Sequence, residues 1–275
     1  MSGAQFFRDF FAREKIELYG FLPLDECKII RPYLLERCGV NKGSAVIFAV
    51  PYYSRAAETE GRNVSLYAVP RDYHLYFKEL SRRFCDAAKS EFPTANFGFF
   101  SDHSPIDEVN GAAKAGIGII GRNHLLITER YSSFIFLGEI VTDLELPSEV
   151  REIGFCENCG FCSSECPVDL SVEECLSALT QKKGELTMQE KEKILAHGLA
   201  WGCDRCQTAC PHTKKAIQNG TIYSPVDFFR EKCIPALTAE ALEAMTDEEF
   251  NTRAYSWRGR DTILRNLKLF KDGSN

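Results

Sequence analysis

The stretch CENCGFCSSECP, residues 156–167, sets three cysteines at two-residue gaps, a fourth three residues further on, and a proline directly after it. Runs of this kind ligate iron–sulfur clusters. Three thiolates so spaced wrap a tight loop around one cube, each reaching a different iron corner. The fourth, set back before the proline, turns towards a neighbouring cluster. A second run, CDRCQTACP at 203–211, repeats the same ending. Two cubes need eight ligands; the runs supply seven, and Cys175 lies between them. The expected sets are Cys156, Cys159, Cys162 and Cys210 for one [4Fe–4S] cluster, and Cys166, Cys175, Cys203 and Cys206 for the other. Structural zinc would favour paired knuckles separated by a longer loop. Disulfides fit neither this spacing nor a reducing compartment. Cys27, Cys38, Cys85 and Cys233 lack ligand spacing and are expected to be packed thiols.

Outward from these runs, the 275 residues are 44% apolar and 26% charged, the balance of an ordinary globular chain. No segment reaches the ~20 apolar residues of a membrane helix, and the N-terminus has no signal-peptide apolar region. Cytoplasm is the expected compartment, with no membrane partner. The formal charge is −6, unevenly spread. Six basic side chains against Asp261 and Asp272 give residues 251–275 a net +4, on a remainder of −10. Such a tail suits an anionic partner such as RNA, or is simply a solvated helix face.

Periodicity predicts two helical segments in 4–38, a buried strand over Ser44–Tyr53, and a long amphipathic helix over 66–90. Another strand is predicted at Ala95–Phe100, a helix at Pro105–Ala115, and strands at His124–Thr128 and Phe134–Val141. Alternation of this kind predicts an α/β or α+β core over 1–150, with Pro147 and Glu149–Glu152 as linker. A cysteine-rich unit over 151–220 follows, then a helical extension over 221–275. In that extension Thr238 reads as a helix cap, and TDEEF (246–250) has the form of a capping box.

The rest of the chain resembles the epoxyqueuosine reductase family, cobalamin-dependent iron–sulfur enzymes of tRNA queuosine synthesis related to reductive dehalogenases. The resemblance runs through VIFAVPY (46–52), YAVPRDYH (67–74), SDHSPI (101–106), AGIGIIGRN (115–123) and FLGEIVT (136–142), then both cysteine runs, TDEEF and Arg265-Asn266. It implies an α/β cobalamin-binding and substrate domain, followed by a ferredoxin-like domain holding two [4Fe–4S] clusters. Electrons would pass from a donor such as flavodoxin or ferredoxin through the clusters to cobalt. The activity implied is reduction of epoxyqueuosine to queuosine in tRNA. Two other readings stay beside it: a corrinoid-dependent reductase of another small substrate, and an electron-transfer or corrinoid-activating protein.

The resemblance places the family's acid on Asp102. A carboxyl in a poorly hydrated pocket can have its pKa raised enough to donate a proton. Read locally, Asp102 could instead cap the helix beginning near Pro105, with Asp107 and Glu108 as first-turn charges. Gly116-x-Gly118-x-x-Gly121 has the outline of a dinucleotide fingerprint, but helix precedes it and strand follows, the reverse of the required order. These glycines are expected instead to let the backbone approach a corrin, with Arg122 and Asn123 meeting its amides and Tyr73 and His74 lining the same pocket. The chain departs from the family pattern in three ways. His103 stands where threonine is usual, and the Cys166–Cys175 spacing is short. The sequence also ends at Asn275, where many members continue into a helical-repeat domain that helps hold tRNA. Binding of tRNA is therefore expected to fall to the body and to Trp257-Arg-Gly-Arg260.

Overall fold

The computed structural model describes residues 1–272; the last three residues of the expected 221–275 extension lie outside them. Helix α1 (Gly3–Arg13) starts where the Ser2 side chain accepts the Gln5 N–H, and it buries Phe6, Phe7, Phe10 and Phe11 along one side. Strand β1 (Leu18–Pro23) follows, where the sequence reading expected no strand. Its signal is weak because Gly20 interrupts it and Pro23 ends it. Gly20 is needed there, since a Cβ would stand 2.4 Å from the Ala115 carbonyl oxygen. Helix α2 (Pro32–Cys38) leads to β2 (Ser44–Pro51), every residue of which is buried.

Helix α3 (Tyr73–Glu91) begins at Asp72, whose carboxylate accepts the His74 N–H. Next come β3 (Phe97–Phe100), α4 (Glu108–Lys114), the short strands β4 (Ile119–Ile120) and β5 (Leu126–Ile127), and β6 (Ile135–Thr142). The sheet runs β1-β2-β6-β3 with every neighbour antiparallel. The alternation read from sequence therefore does not build the parallel pairs of an α/β sheet, and the architecture is α+β. The chain reverses between β1 and β2 through α2, and between β3 and β6 through α4 and the β4–β5 hairpin. The return through α3 sets β3 in the direction of β2, with β6 between them.

The sheet separates two apolar layers. One side packs the phenylalanines of α1 and α3 against Val46, Phe48 and Ile140, and the same layer continues into Trp201, Phe229, Leu242, Tyr255 and Leu267. The other side packs Ala112 and Ala113 of α4 against Ala45, Ile47 and Val141. Burying each such large side chain is worth about 1.5–3 kcal/mol.

Beyond the sheet the helices are short: α5 (Phe161–Ser164), α6 (Leu176–Thr180), α7 (Met188–His197), α8 (Arg205–Thr208) and α9 (Pro211–Gln218). Then come α10 (Ala239–Ala244), capped by Thr238, α11 (Asp247–Asn251), with both halves of the Thr246–Glu249 capping box, and α12 (Arg260–Asp272). Backbone bridges join the cysteine segment to the body at Val64–Trp201 and Ile120–Phe155. Buried Asp204 reinforces the first, taking Arg62 at 2.8 Å and the Leu66 N–H at 3.0 Å. Among the described residues no helix is long and apolar enough to cross a membrane.

Candidate functional site

The eight cysteines fall into two neighbouring groups. Cys156, Cys159, Cys162 and Cys210 line one small cavity, together with Arg122, Asn123 and His212. In the other group Cys203 and Cys206 both lie within range of the Cys175 charge, and Cys206 also of Cys166 and Cys162. The four that line the cavity are those grouped together from spacing, and the approach of Cys162 to Cys206 runs between the two groups. Among the described residues no three His, Cys, Asp or Glu side chains converge on a single-ion site. A cube does not ask for that, because each of its thiolates binds a different iron.

Local backbone explains how short helices present these sulfurs. Gly160, at φ +83°, turns the chain into α5 between Cys159 and Cys162. Pro167 and Pro211 follow the displaced cysteines, and Cys210 stands at the start of α9. The Arg122 N–H points at Cys156 Sγ (3.3 Å) and the Leu170 N–H at Cys166 Sγ (3.4 Å). Such N–H donors favour thiolate and tune a cluster's potential. Burial pushes Cys203 up to about 12 and Cys206 to about 11. Ionising them therefore calls for a cation at hand, which cluster iron would supply. The donor set fits iron–sulfur clusters.

A second feature is a cleft of about 670 Å³ lined by Tyr67, Asp72, Tyr73, His74, Asp102, Phe136, Ser177, Gln181, Ala254 and Trp257. Its chemistry centres on Asp102. The residue sits at φ +63°, a left-handed conformation that costs a non-glycine residue energy and recurs at functional sites. The Tyr73 hydroxyl donates to Asp102 Oδ2, and His74 Nε2 lies 3.2 Å from the same oxygen. His74 Nδ1 meets Asp72 Oδ1 at 2.8 Å, so the imidazole is clamped between two carboxylates. The hydrogen bond to Asp102, then that to Asp72, raises His74 to about 10.

Burial pushes the Asp102 carboxyl up, but the bonds from His74 and Tyr73 outweigh it and hold the group below its ordinary value. With 56% of its side chain exposed, Asp102 stands at the cleft mouth. The expected raised pKa in a closed pocket is therefore not found. In this geometry the proton rests on His74, beside the Asp102 carboxylate. Asp102 does not cap α4 either; Asp107 does, accepting the Asn110 N–H at 3.2 Å.

The structure does not gather the expected corrin contacts in one place. Tyr73 and His74 line the Asp102 cleft, whereas Arg122 and Asn123 line the cavity of Cys156. Gly116 and Gly118 line a third space, of about 800 Å³. Gly116 (φ +74°) terminates α4, and a Cβ on Gly118 would stand 2.4 Å from the Ile127 carbonyl oxygen, so the β4–β5 hairpin alone accounts for it. A Cβ on Gly121 would likewise press on Asn123 Oδ1 at 2.4 Å. Cys27 is buried, and Cys38, Cys85 and Cys233 pack at the edges of the apolar layers.

Sequence reasoning missed Tyr67, Asp72, Ser177 and Gln181 as cleft residues, and it took Glu108 for a simple first-turn charge. Glu108 Oε1 accepts the Asp102 N–H at 3.1 Å. Burial, then the Asp102 charge, raises Glu108 to about 7. Most of the basic tail is committed internally: Arg260 to the Leu242 carbonyl and Asp247, Arg265 to the carbonyls of Lys182 and Gly184, and Lys268 to Glu243. Trp257 stays 58% exposed at the cleft with the Arg258 guanidinium 3.7 Å over its ring.

No family model matches the sequence. The epoxyqueuosine reductase of Cyclobacterium marinum is 30% identical over 251 residues, covering 83% of this chain and 76% of that protein. The epoxyqueuosine reductase from Streptococcus thermophilus superposes with a TM-score of 0.78 at 23% identity, over 98% of this chain and 81% of that one. An epoxyqueuosine reductase crystallised with an epoxyqueuosine-modified tRNA-Tyr stem loop gives 0.77 at 24% identity, over 98% and 83%. The mixed helix-and-sheet fold is thus the fold of these proteins. Other curated relatives are longer, and the chain spans 57% and 61% of the length of two of them.

Proposed function

The chain belongs to the epoxyqueuosine reductase family, and we propose that it reduces epoxyqueuosine to queuosine in tRNA. One observation carries this reading: a single cleft takes in both the proton-handling group and the approach from the thiols. Tyr73, His74 and Asp102 form one wall, and Ser177 and Gln181 contribute to another. Those two residues sit on and just after α6, which starts directly at Cys175. Acid and electron source thus meet at the same opening.

The residues also suit a flat, amide-fringed macrocycle. Phe136, stacked on Tyr73 at 4.1 Å, and Trp257 offer aromatic surface, while Ser177 and Gln181 offer hydrogen bonds for amides. Bound there, cobalamin would supply the low-potential cobalt that reduces the epoxide, with two [4Fe–4S] clusters on the eight cysteines as its source of electrons. The division into a cobalamin and substrate domain over 1–150, a cluster domain over 151–220 and an extension over 221–275 belongs to this proposal. So do a cytoplasmic location and a flavodoxin- or ferredoxin-type donor.

Opening an epoxide to an alkene releases its oxygen as water and consumes two electrons and two protons. His74 and Tyr73 hold protons on Asp102 Oδ2 at the cleft, and Asp102 keeps both hydroxyl and imidazolium aimed at one point. A leaving oxygen at that point takes its first proton from the pair. Trp257 with Arg258 above it gives a base-stacking face and a cation for phosphate at the rim.

Anaerobic protein reconstituted with iron, sulfide and cobalamin, then reduced and incubated with epoxyqueuosine-containing tRNA, is expected to yield queuosine by nucleoside mass spectrometry. Corrin binding with no queuosine would move the assignment to another small substrate. Failure to bind any corrin would sink both reductase readings and leave an electron-transfer protein.

A further inference from the structure

One buried acid has no part in the site described so far. Glu139 lies in β6 opposite Ile47 of β2 and Phe100 of β3, on the face covered by α4. It is wholly buried, and neither carboxylate oxygen has a hydrogen-bond partner. The Ser104 hydroxyl beside it is committed to Ile106, at 3.1 Å to both the carbonyl and the N–H. Leaving an ionised carboxylate so placed is costly, and the group avoids the cost by keeping its proton.

The groups around Glu139 bear this out. Burial pushes Glu139 up to about 8; the nearby Ser104 hydroxyl and Ile106 N–H act against it, and the charge of Glu108 adds to the rise. Glu108 in turn feels the charges of Asp102, Arg31 and Asp107. From the loop after β1, Cys27 faces Glu139 as a neutral thiol pushed up to about 12, mainly by burial, with Lys114, Asp25 and Glu26 acting on it more weakly than Glu139 does. No cation is among the charges acting on Glu139. Glu108, by contrast, reaches forward: its Oε1 holds the Asp102 backbone N–H at 3.1 Å. Glu139 stands opposite Phe100, two residues before Asp102, and Glu108 holds the Asp102 N–H, so the three acids are neighbours between the sheet interior and the cleft mouth.

We propose that Glu139 and Glu108 form a buried proton store behind Asp102, which recharges the Asp102–His74 pair after that pair has given its proton to substrate. This rests on the reductase reading, in which each turnover takes two electrons from the cluster donor and two protons. The first proton leaves the Asp102–His74 pair for the departing oxygen. Glu108 then passes its proton to the Asp102 carboxylate, and Glu139 passes its own to Glu108. The second proton reaches the same oxygen through Asp102, water departs, and solvent refills the store.

Difference infrared spectroscopy on the reconstituted, substrate-free protein reads the store without turnover. A protonated-carboxyl band is expected to disappear as pH rises through about 7–8, to weaken in Glu139→Gln, and to shift its midpoint downward in Asp102→Asn. No such band, or a midpoint indifferent to Asp102→Asn, overturns the proposal. In turnover, Glu139→Gln is expected to lower kcat roughly a hundredfold with KM unchanged, on the order of the smaller effects of acid catalysis. It should also remove the alkaline fall of kcat near pH 8, with Glu139→Asp restoring both. A variant with wild-type kcat and pH profile is likewise fatal to it. If the wild type makes no queuosine, the reductase reading fails, and the infrared midpoints still decide the store.

Discussion

The four-stranded sheet and the cysteine segment pack against each other, yet different physics holds each in shape. Every residue of Ser44–Pro51 is buried, and Phe7, Phe11, Phe48 and Phe84 are wholly enclosed. Between residues 151 and 175 not one residue is buried, and α5 and α8 have only four residues each. Helices that short do not persist on their own. In the proposed holoenzyme, thiolate–iron bonds replace the missing core, because metal binding at such a site is folding free energy. The sheet folds on its side chains; the cysteine segment would fold on its clusters.

Removing iron strains this contrast most. Without it, amide exchange is expected to show residues 155–175 losing protection altogether, while Ser44–Pro51 and Ile135–Thr142 keep theirs. Protection of 155–175 in iron-free protein would break the distinction. The single change Cys206→Ser is expected to halve the iron content and leave the sheet unaltered.

Asp102→Asn comes next in size. It removes the acceptor shared by Tyr73 and His74, so kcat is expected to fall about 10²–10⁴-fold. Iron content should not change, since Asp102 touches neither thiol group. Loss of iron together with activity would mean that the cleft and the clusters are not separable. Phe84→Ala probes the other side of the comparison. Phe84 is wholly buried and packs on Phe6, Phe7, Phe10, Phe97 and Phe99. The truncation is expected to cost about 3–5 kcal/mol in denaturant unfolding, with full iron content in the protein that remains folded.

The same difference decides how legible each region was in the sequence. Four of the cysteines could be grouped in advance because ligand spacing is local, and they line one cavity. The buried strand at 44–51 could be read because eight consecutive residues are apolar or small. Strand β1 was hidden because Gly20 answers to a carbonyl on α4, a contact no local pattern shows. Alternation left α/β and α+β open, because strand direction is set by distant pairing. Asp102, placed by the family resemblance, does stand at a cleft, yet its electrostatics could not be foreseen. His74 lies 28 positions earlier in sequence and reaches it only through the fold. Glycines 116, 118 and 121 fit two readings for a related reason: turn geometry and ligand approach demand the same residue. Glu139 did leave a sign, a lone acid inside the apolar run FLGEIVT.

The smallest expected effect concerns the ion pair at the cleft mouth, and its sign can be worked out. The fold favours protonated His74, raised from 6.5 to about 10 by Asp102 and then by Asp72. Its contribution to stability is therefore complete below about pH 6.5, declines as pH rises, and is gone above about pH 10. Asp102, held below its ordinary 3.8, contributes above that value and loses its share only in acid. Between pH 6.5 and 10 the change thus belongs to His74. Both side chains are 56% exposed, so solvent screening holds the pair to about 1 kcal/mol at most. Across that window wild-type protein is expected to lose up to this much unfolding free energy relative to His74→Gln. The growing penalty of ionising Glu139, from 4.5 to about 8, is common to both proteins and cancels in the difference. Parallel stability curves would show His74 unpaired. Asp102 would then be an ordinary carboxylate, and the proton at the cleft would need another owner.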